Sequence, residues 1–128
     1  MLWEGFNVKL FNLGEFLKRS APKSSETVGE RLIDENDKAS KAMALFAIIP
    51  PSVESRASKL HYHTERDSFI LFLSGEGIET VEGKEYPVKA NDLIFIPSKE
   101  KHKIVNTGNT ELKYIEIYTL PSDFIVVE

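Results

Sequence analysis

The chain contains no cysteine. That one absence excludes disulfides, thiolate metal sites, iron–sulfur clusters and a cysteine nucleophile. Positive charge is not in excess: 16 Lys and Arg stand against 20 Asp and Glu, for a net charge of −4. A broad basic surface for nucleic acid is therefore not expected. No apolar run approaches the ~20 residues of a membrane-crossing helix. Met1 to Phe6 lack the basic start and apolar core of a signal peptide. No glycine-rich phosphate loop, dinucleotide fingerprint or Gly-x-Ser-x-Gly elbow occurs. The expectation is a soluble, cytoplasmic protein with neither nucleic acid nor membrane as partner.

What the chain does contain is an ordinary globular balance, 41% hydrophobic and 28% charged residues in a length of 128. That is enough for one domain with a single core. Phe6, Val8 and Leu10 alternate as in a short edge strand. A short helix is predicted from Leu13, with Asn12 as its cap and Glu15 three residues on, as in a capping box. Leu13, Phe16 and Leu17 share one of its faces, and Pro22 ends it.

Beyond residue 27 the pattern is β. Strands are predicted at 28–33, 43–49, 69–73, 78–81, 85–88, 93–96, 101–105 and 112–120, with Gly, Pro, Asn and Asp between them. Gly83 suits a tight hairpin joining 78–81 to 85–88. Phe69 to Leu73 and Leu93 to Ile96 are apolar throughout and read as strands buried on both faces. Phe46, Phe69, Phe72 and Phe95 are assigned to the core. Short strands at intervals of about 8–12 residues indicate an all-β sandwich or barrel.

The three histidines carry the chemistry. His61 and His63 are separated by Tyr62 alone, so on an extended strand they share a face and Tyr62 looks away. His102 follows a later apolar strand. Two imidazoles from one strand and a third from another is a recurrent way to build a three-His metal site. Imidazole suits Zn, Fe, Cu or Ni. Glu116 lies on one face of the last strand with Tyr114 and Tyr118. If that face lines the interior, Glu116 is a candidate general acid or base. The ordinary expectation puts Ile115 and Ile117 inside and leaves Glu116 solvated. Arg66, Lys99 and Lys101 read as solvated loop cations close to the histidines, a position suited to a carboxylate or phosphate.

Residues 55–106 resemble the paired motifs of the cupin superfamily, a small β-barrel also called a double-stranded β-helix or jelly roll. The first motif runs Gly, five residues, His-x-His, three or four residues, Glu, six residues, Gly. His61, His63 and Gly75 fit it; Ser55 stands at the opening Gly. Counting back from Gly75 places the motif's Glu at Ser68, with Asp67 beside it. The second motif runs Gly, five residues, Pro-x-Gly, two residues, His, three residues, Asn. Pro97, His102 and Asn106 fit, with Asn91 and Lys99 at the two glycines.

The resemblance implies a cupin-type barrel core over residues 41–128, with residues 1–40 as an arm and first strands of the same domain. It implies that His61, His63 and His102 bind one divalent transition metal (Zn, Fe, Ni, Cu or Mn). The fourth position is then occupied by Ser68, or filled by Asp67 despite its one-residue offset. It also implies a homodimer, for which Trp3 and Phe6 are suitable contacts. Two functions stay open. In one, the metal orients a small polar or anionic organic molecule, as in a dioxygenase, decarboxylase or isomerase. In the other, a non-catalytic barrel binds a sugar or metabolite without metal. Metal affinity is expected to fall below a pH of ~6.5, where free imidazole protonates.

Overall fold

A computed structural model describes residues 8–23, 26–51 and 59–127. Helix α1 (Leu13–Leu17) comes first, followed by β1 (Val28–Ile33), a 3-10 turn (Glu35–Asp37) and β2 (Ala42–Ile49). Then come β3 (His61–Tyr62), β4 (Ser68–Ser74), β5 (Glu76–Val81), β6 (Lys84–Lys89) and β7 (Leu93–Ile96). The last strands are β8 (His102–Asn106), β9 (Leu112–Thr119) and β10 (Ile125–Val126). They form two antiparallel five-stranded sheets, ordered β1-β2-β9-β4-β7 and β10-β3-β8-β5-β6. The expected all-β, cupin-type architecture is what the chain adopts.

Turn chemistry sets the register. Glu82 and Gly83 both have positive φ, the geometry of a two-residue type I′ hairpin, and they join β5 to β6. Gly75 also has positive φ, and a Cβ there would lie 2.4 Å from the Glu111 carbonyl oxygen. Only glycine serves at that crossing. Asn91 and Lys99 keep the left-handed backbone of the motif glycines they replace, with φ of 75° and 73°. The Lys99 N–H donates to the His63 carbonyl at 2.7 Å, which ties the loop before β8 to the histidine segment.

The interior is divided along the strands. Ala47, Ile49, Phe72, Ile104, Leu112 and Tyr114 pack between the sheets as one buried apolar cluster. Toward the other end the inward positions become polar: Ser68 on β4, Glu116 on β9 and His102 on β8. A second cluster lies on the outer face of the first sheet, where Phe16 of α1 packs on Phe46, ring centroids 4.7 Å apart, with Ile115 beneath. Burying such a ring contributes ~2 kcal/mol.

Several expectations change. Val8 to Phe11 form no strand, and residues 1–7, with Trp3 and Phe6, lie outside the described residues. In α1 the Asn12 side chain accepts from the Gly14 N–H rather than closing a box with Glu15, and only Phe16 of the apolar face is buried. Strands β4 and β7 are not buried on both faces: Phe69 and Phe95 are 40% and 52% exposed. On β4, Leu73 packs against the Phe16 cluster while Phe69 stays exposed on the same face, so alternation and local cover, and not the unbroken apolar run, decide burial.

Candidate metal centre

His61 and His63 turn inward together, and antiparallel pairing of β3 with β8 sets His61 directly opposite His102. All three are buried. Ring centroids are 4.2 Å apart for His61 and His102, 5.0 Å for His61 and His63, and 5.3 Å for His63 and His102. Each ring offers a nitrogen, and the three lie within 4.8 Å of one another.

The outer nitrogens are spoken for. His61 Nδ1 meets the Lys59 carbonyl at 2.6 Å, His102 Nδ1 meets the Glu100 carbonyl at 2.9 Å, and His63 Nδ1 meets the Asp123 carbonyl. A carbonyl only accepts, so each Nδ1 carries the hydrogen and each Nε2 presents a lone pair. The Nε2 of His63 is buried with no hydrogen-bond partner among the described residues. Burial also holds all three rings below the ordinary imidazole pKa, His61 down to about 3, so they stay neutral. Neutral imidazoles with anchored Nδ1 atoms and convergent Nε2 lone pairs are the donor set of a divalent ion, and they fit one.

The residues near the motif acid behave differently from one another. Ser68 is fully buried and faces inward, opposite Tyr118 and Ile96, and its hydroxyl accepts from Arg66 Nε at 3.1 Å. Asp67 is used elsewhere: its carboxylate accepts from the Ser98 N–H at 3.0 Å, and its own N–H donates to Thr119 Oγ1 at 2.9 Å. It stays outside the three-histidine group.

Arg66 and Glu116 overturn the ordinary expectation. The Glu116 face of β9 lines the interior, Ile117 is exposed, and Ile115 is buried on the opposite side under α1. Arg66 is no solvated loop cation. It pairs with Glu116 inside the barrel, donates to Ser122 Oγ at 3.1 Å and stacks over Tyr118 at 3.8 Å. The guanidinium lies close enough to help depress the pKa of all three histidines.

Glu79, on β5, is a residue the sequence reading missed. It is 1% exposed and neither carboxyl oxygen has a hydrogen-bond partner among the described residues. The available signal was period two: Glu79 shares a face with Gly77 and Val81, and Val81 pairs with His102.

Residues 121–127 close the mouth. Phe124 stacks on His61 at 4.2 Å, with 18° between the planes. Asp123 accepts from the Thr64 N–H and hydroxyl at 2.9 and 2.6 Å, and β10 pairs with β3. The segment that covers the histidines therefore also orients the His63 ring, through the Asp123 carbonyl.

Comparison with known proteins places this geometry. An oxalate-binding protein of Thermotoga maritima is 41% identical over 61 residues, 48% of this chain and 50% of that protein, so the match spans half the length of that relative. The structure of the polyketide cyclase RemF from Streptomyces resistomycificus superposes with a TM-score of 0.68 at 22% identity, covering 80% of this chain and 72% of that one. An uncharacterized double-stranded β-helix protein from Klebsiella pneumoniae superposes with a TM-score of 0.75 at 16% identity, covering 94% and 98%. At those identities the two structures show the fold alone. The family model described as "Cupin domain" matches residues 47–118, more than half of the chain, and the chain belongs to that family.

Proposed function

We propose that this chain is a metal-binding cupin that holds a small organic anion at a three-histidine centre. His61, His63 and His102 would hold one divalent ion of the Zn, Fe, Ni, Cu or Mn series through their Nε2 atoms. Bound there, the ion supplies an electrophilic point for an anionic oxygen. The chain's residues do the rest. Backbone carbonyls orient the rings, Phe124 shields them from water, and Arg66 keeps a positive charge near the ligand while balanced by Glu116. The observation that carries the reading is the set of three carbonyl-anchored Nδ1 atoms, which leaves each Nε2 lone pair free on rings whose ligand nitrogens lie within 4.8 Å of one another. The Thermotoga relative described as oxalate-binding supports a small carboxylate as the ligand class. Decarboxylase, dioxygenase and isomerase chemistry are the reactions such a centre serves.

Protein purified without a chelating tag tests this by elemental analysis and zinc titration. One ion per chain is expected, and His102→Ala should weaken it by about a hundredfold or more, since losing an outer-shell partner of a ligand already costs about 10- to 100-fold. Zinc affinity unchanged in His102→Ala removes the reading and leaves the alternative, a barrel binding a sugar or metabolite without metal.

A cytoplasmic homodimer completes the proposal. On the outer face of the first sheet, Ile117, Phe69 and Phe95 stand in one cross-strand row, half exposed, with Leu93 67% exposed beside them. An apolar row of this kind is suited to a second copy. Light scattering of wild type and Phe95→Lys tests it, with a shift toward monomer expected in the variant.

A further inference from the structure

The barrel contains a carboxyl that the three-histidine centre does not use. Glu79 lies in the middle of β5 with its side chain turned inward, 1% exposed, and both of its oxygens are buried without a hydrogen-bond partner among the described residues. An unsatisfied buried polar group costs about 1–3 kcal/mol, which an apolar side chain of similar size would not. A stability argument therefore gives no reason for glutamate here.

Its surroundings point to a ligand. Glu79 pairs directly with Ile104, and Val81, two residues on, pairs with His102, so Glu79 is one diagonal step from a centre histidine. Such diagonal neighbours have Cβ atoms ~7 Å apart. The groups around it are Glu116 and Tyr114 from β9, His102 from β8 and Tyr86 directly across on β6. The cation next to this group is Arg66, paired to Glu116, and its nitrogens are engaged by Ser68, Ser122 and Glu116. Burial raises the Glu79 pKa well above the usual carboxylate range, and the Glu116 charge adds to the rise. A proton-bearing carboxyl is the one acidic group that faces an anion as a donor instead of repelling it.

We propose that Glu79 is the ligand-recognising acid of this barrel, donating its O–H to an oxygen of a small carboxylate whose other oxygens face the three histidines. The inference rests on the metal-centre reading for the far end of the ligand. Glu79 itself stands outside the metal-ligand group. Its role is to select for an acceptor oxygen at fixed reach from the centre, and to disfavour ligands that present an apolar end there.

The test is calorimetric titration of the zinc-loaded full chain with oxalate at neutral pH, for wild type, Glu79→Gln and Glu79→Leu. Gln keeps an N–H donor, and its affinity should remain within about threefold of wild type. Leu removes the donor, and oxalate binding should weaken by about tenfold or more, the equivalent of one net hydrogen bond. Zinc affinity should be unchanged in both, whereas His102→Ala loses zinc, so failure of the metal centre and failure of the Glu79 role are separately visible. If wild type takes up no zinc, the same titrations on the metal-free chain decide. Should Glu79→Leu not fold, the pH series replaces it: wild-type affinity falls as Glu79 deprotonates at higher pH, and that of Glu79→Gln does not. Oxalate bound equally by wild type and Glu79→Leu, or no oxalate binding by wild type, overturns the proposal.

Discussion

Arg66 and Glu116, 50 residues apart in sequence, form an ion pair inside the barrel with side chains only 11% and 10% exposed. The Ser68 hydroxyl and the Tyr118 ring complete the guanidinium's surroundings. The position that the family motif gives to a carboxylate is thus filled by a serine tied to an arginine, whose charge is balanced by a carboxylate on β9.

Removing one member of that pair leaves the other buried and uncompensated. Arg66→Met and Glu116→Leu are each expected to cost about 3 kcal/mol, and the double variant clearly less than their sum. Urea unfolding of the four proteins measures the coupling. Strict additivity would show that water, and not the partner, satisfies each charge.

His61, His63 and His102 are legible in the sequence because the motif spacing and strand alternation fix their side, and antiparallel pairing does the rest. Asn106 is legible for the same reason: its amide donates to the Ile49 and Thr110 carbonyls and its oxygen accepts from Gly108. The face of β9 is not legible. Leu112 to Thr119 alternates Tyr and Glu with Ile, and hydrophobicity alone puts the isoleucines inside. The structure gives Ile115 a separate cover in α1 and Phe16, which frees the inner face for Tyr114, Glu116 and Tyr118. Phe69 and Phe95 fail in the opposite sense, since an apolar run says nothing about which face is left uncovered. Glu79 is not legible, because a glutamate between Ile78 and Thr80 in a hairpin carries no mark of burial in the sequence.

Glu79 makes stability depend on pH in a defined direction. Its folded pKa is raised by burial and then by Glu116, above the 4.5 of a free side chain. The folded state therefore binds the extra proton, and this contribution is fully present below 4.5 and lost as pH rises toward the folded value. Melting temperature in wild type should fall relative to Glu79→Gln as pH is raised from 4.5. Parallel curves for the two proteins would mean that Glu79 has the same pKa folded and unfolded.

Ser68 offers a test of register. It is fully buried and faces the interior, so a longer acidic side chain there can extend toward the histidines. Ser68→Glu should tighten zinc by about tenfold, equivalent to ~1.4 kcal/mol, while Ser68→Ala leaves zinc unchanged. Part of the gain will be taken by Arg66, which already donates to residue 68. No gain in Ser68→Glu would show that residue 68 does not reach the ion.

The pH range over which the centre takes up metal differs from the one free imidazole gives. Protons compete with a metal only where the rings protonate, which for an unperturbed histidine is below ~6.5. Here burial is the largest influence on each ring and lowers all three, His61 to about 3, and Arg66 adds in the same direction. Zinc affinity should consequently stay flat as pH falls through 6.5 and decline only in more acidic solution. Titrations at half-unit steps between pH 7 and 5 measure this, because a three-histidine peptide loses affinity steeply across that interval. In the metal-free protein the same shifts act on stability with a definite sign. The unfolded chain gains protons below 6.5 that the buried rings refuse, so stability is whole above 6.5 and drains away as pH falls toward the folded values. Metal-free protein should therefore melt at steadily lower temperature below pH 6.5, and His61→Gln should flatten that slope. Zinc affinity that instead drops steeply through 6.5 would mean that water reaches the rings and Phe124 does not cover them.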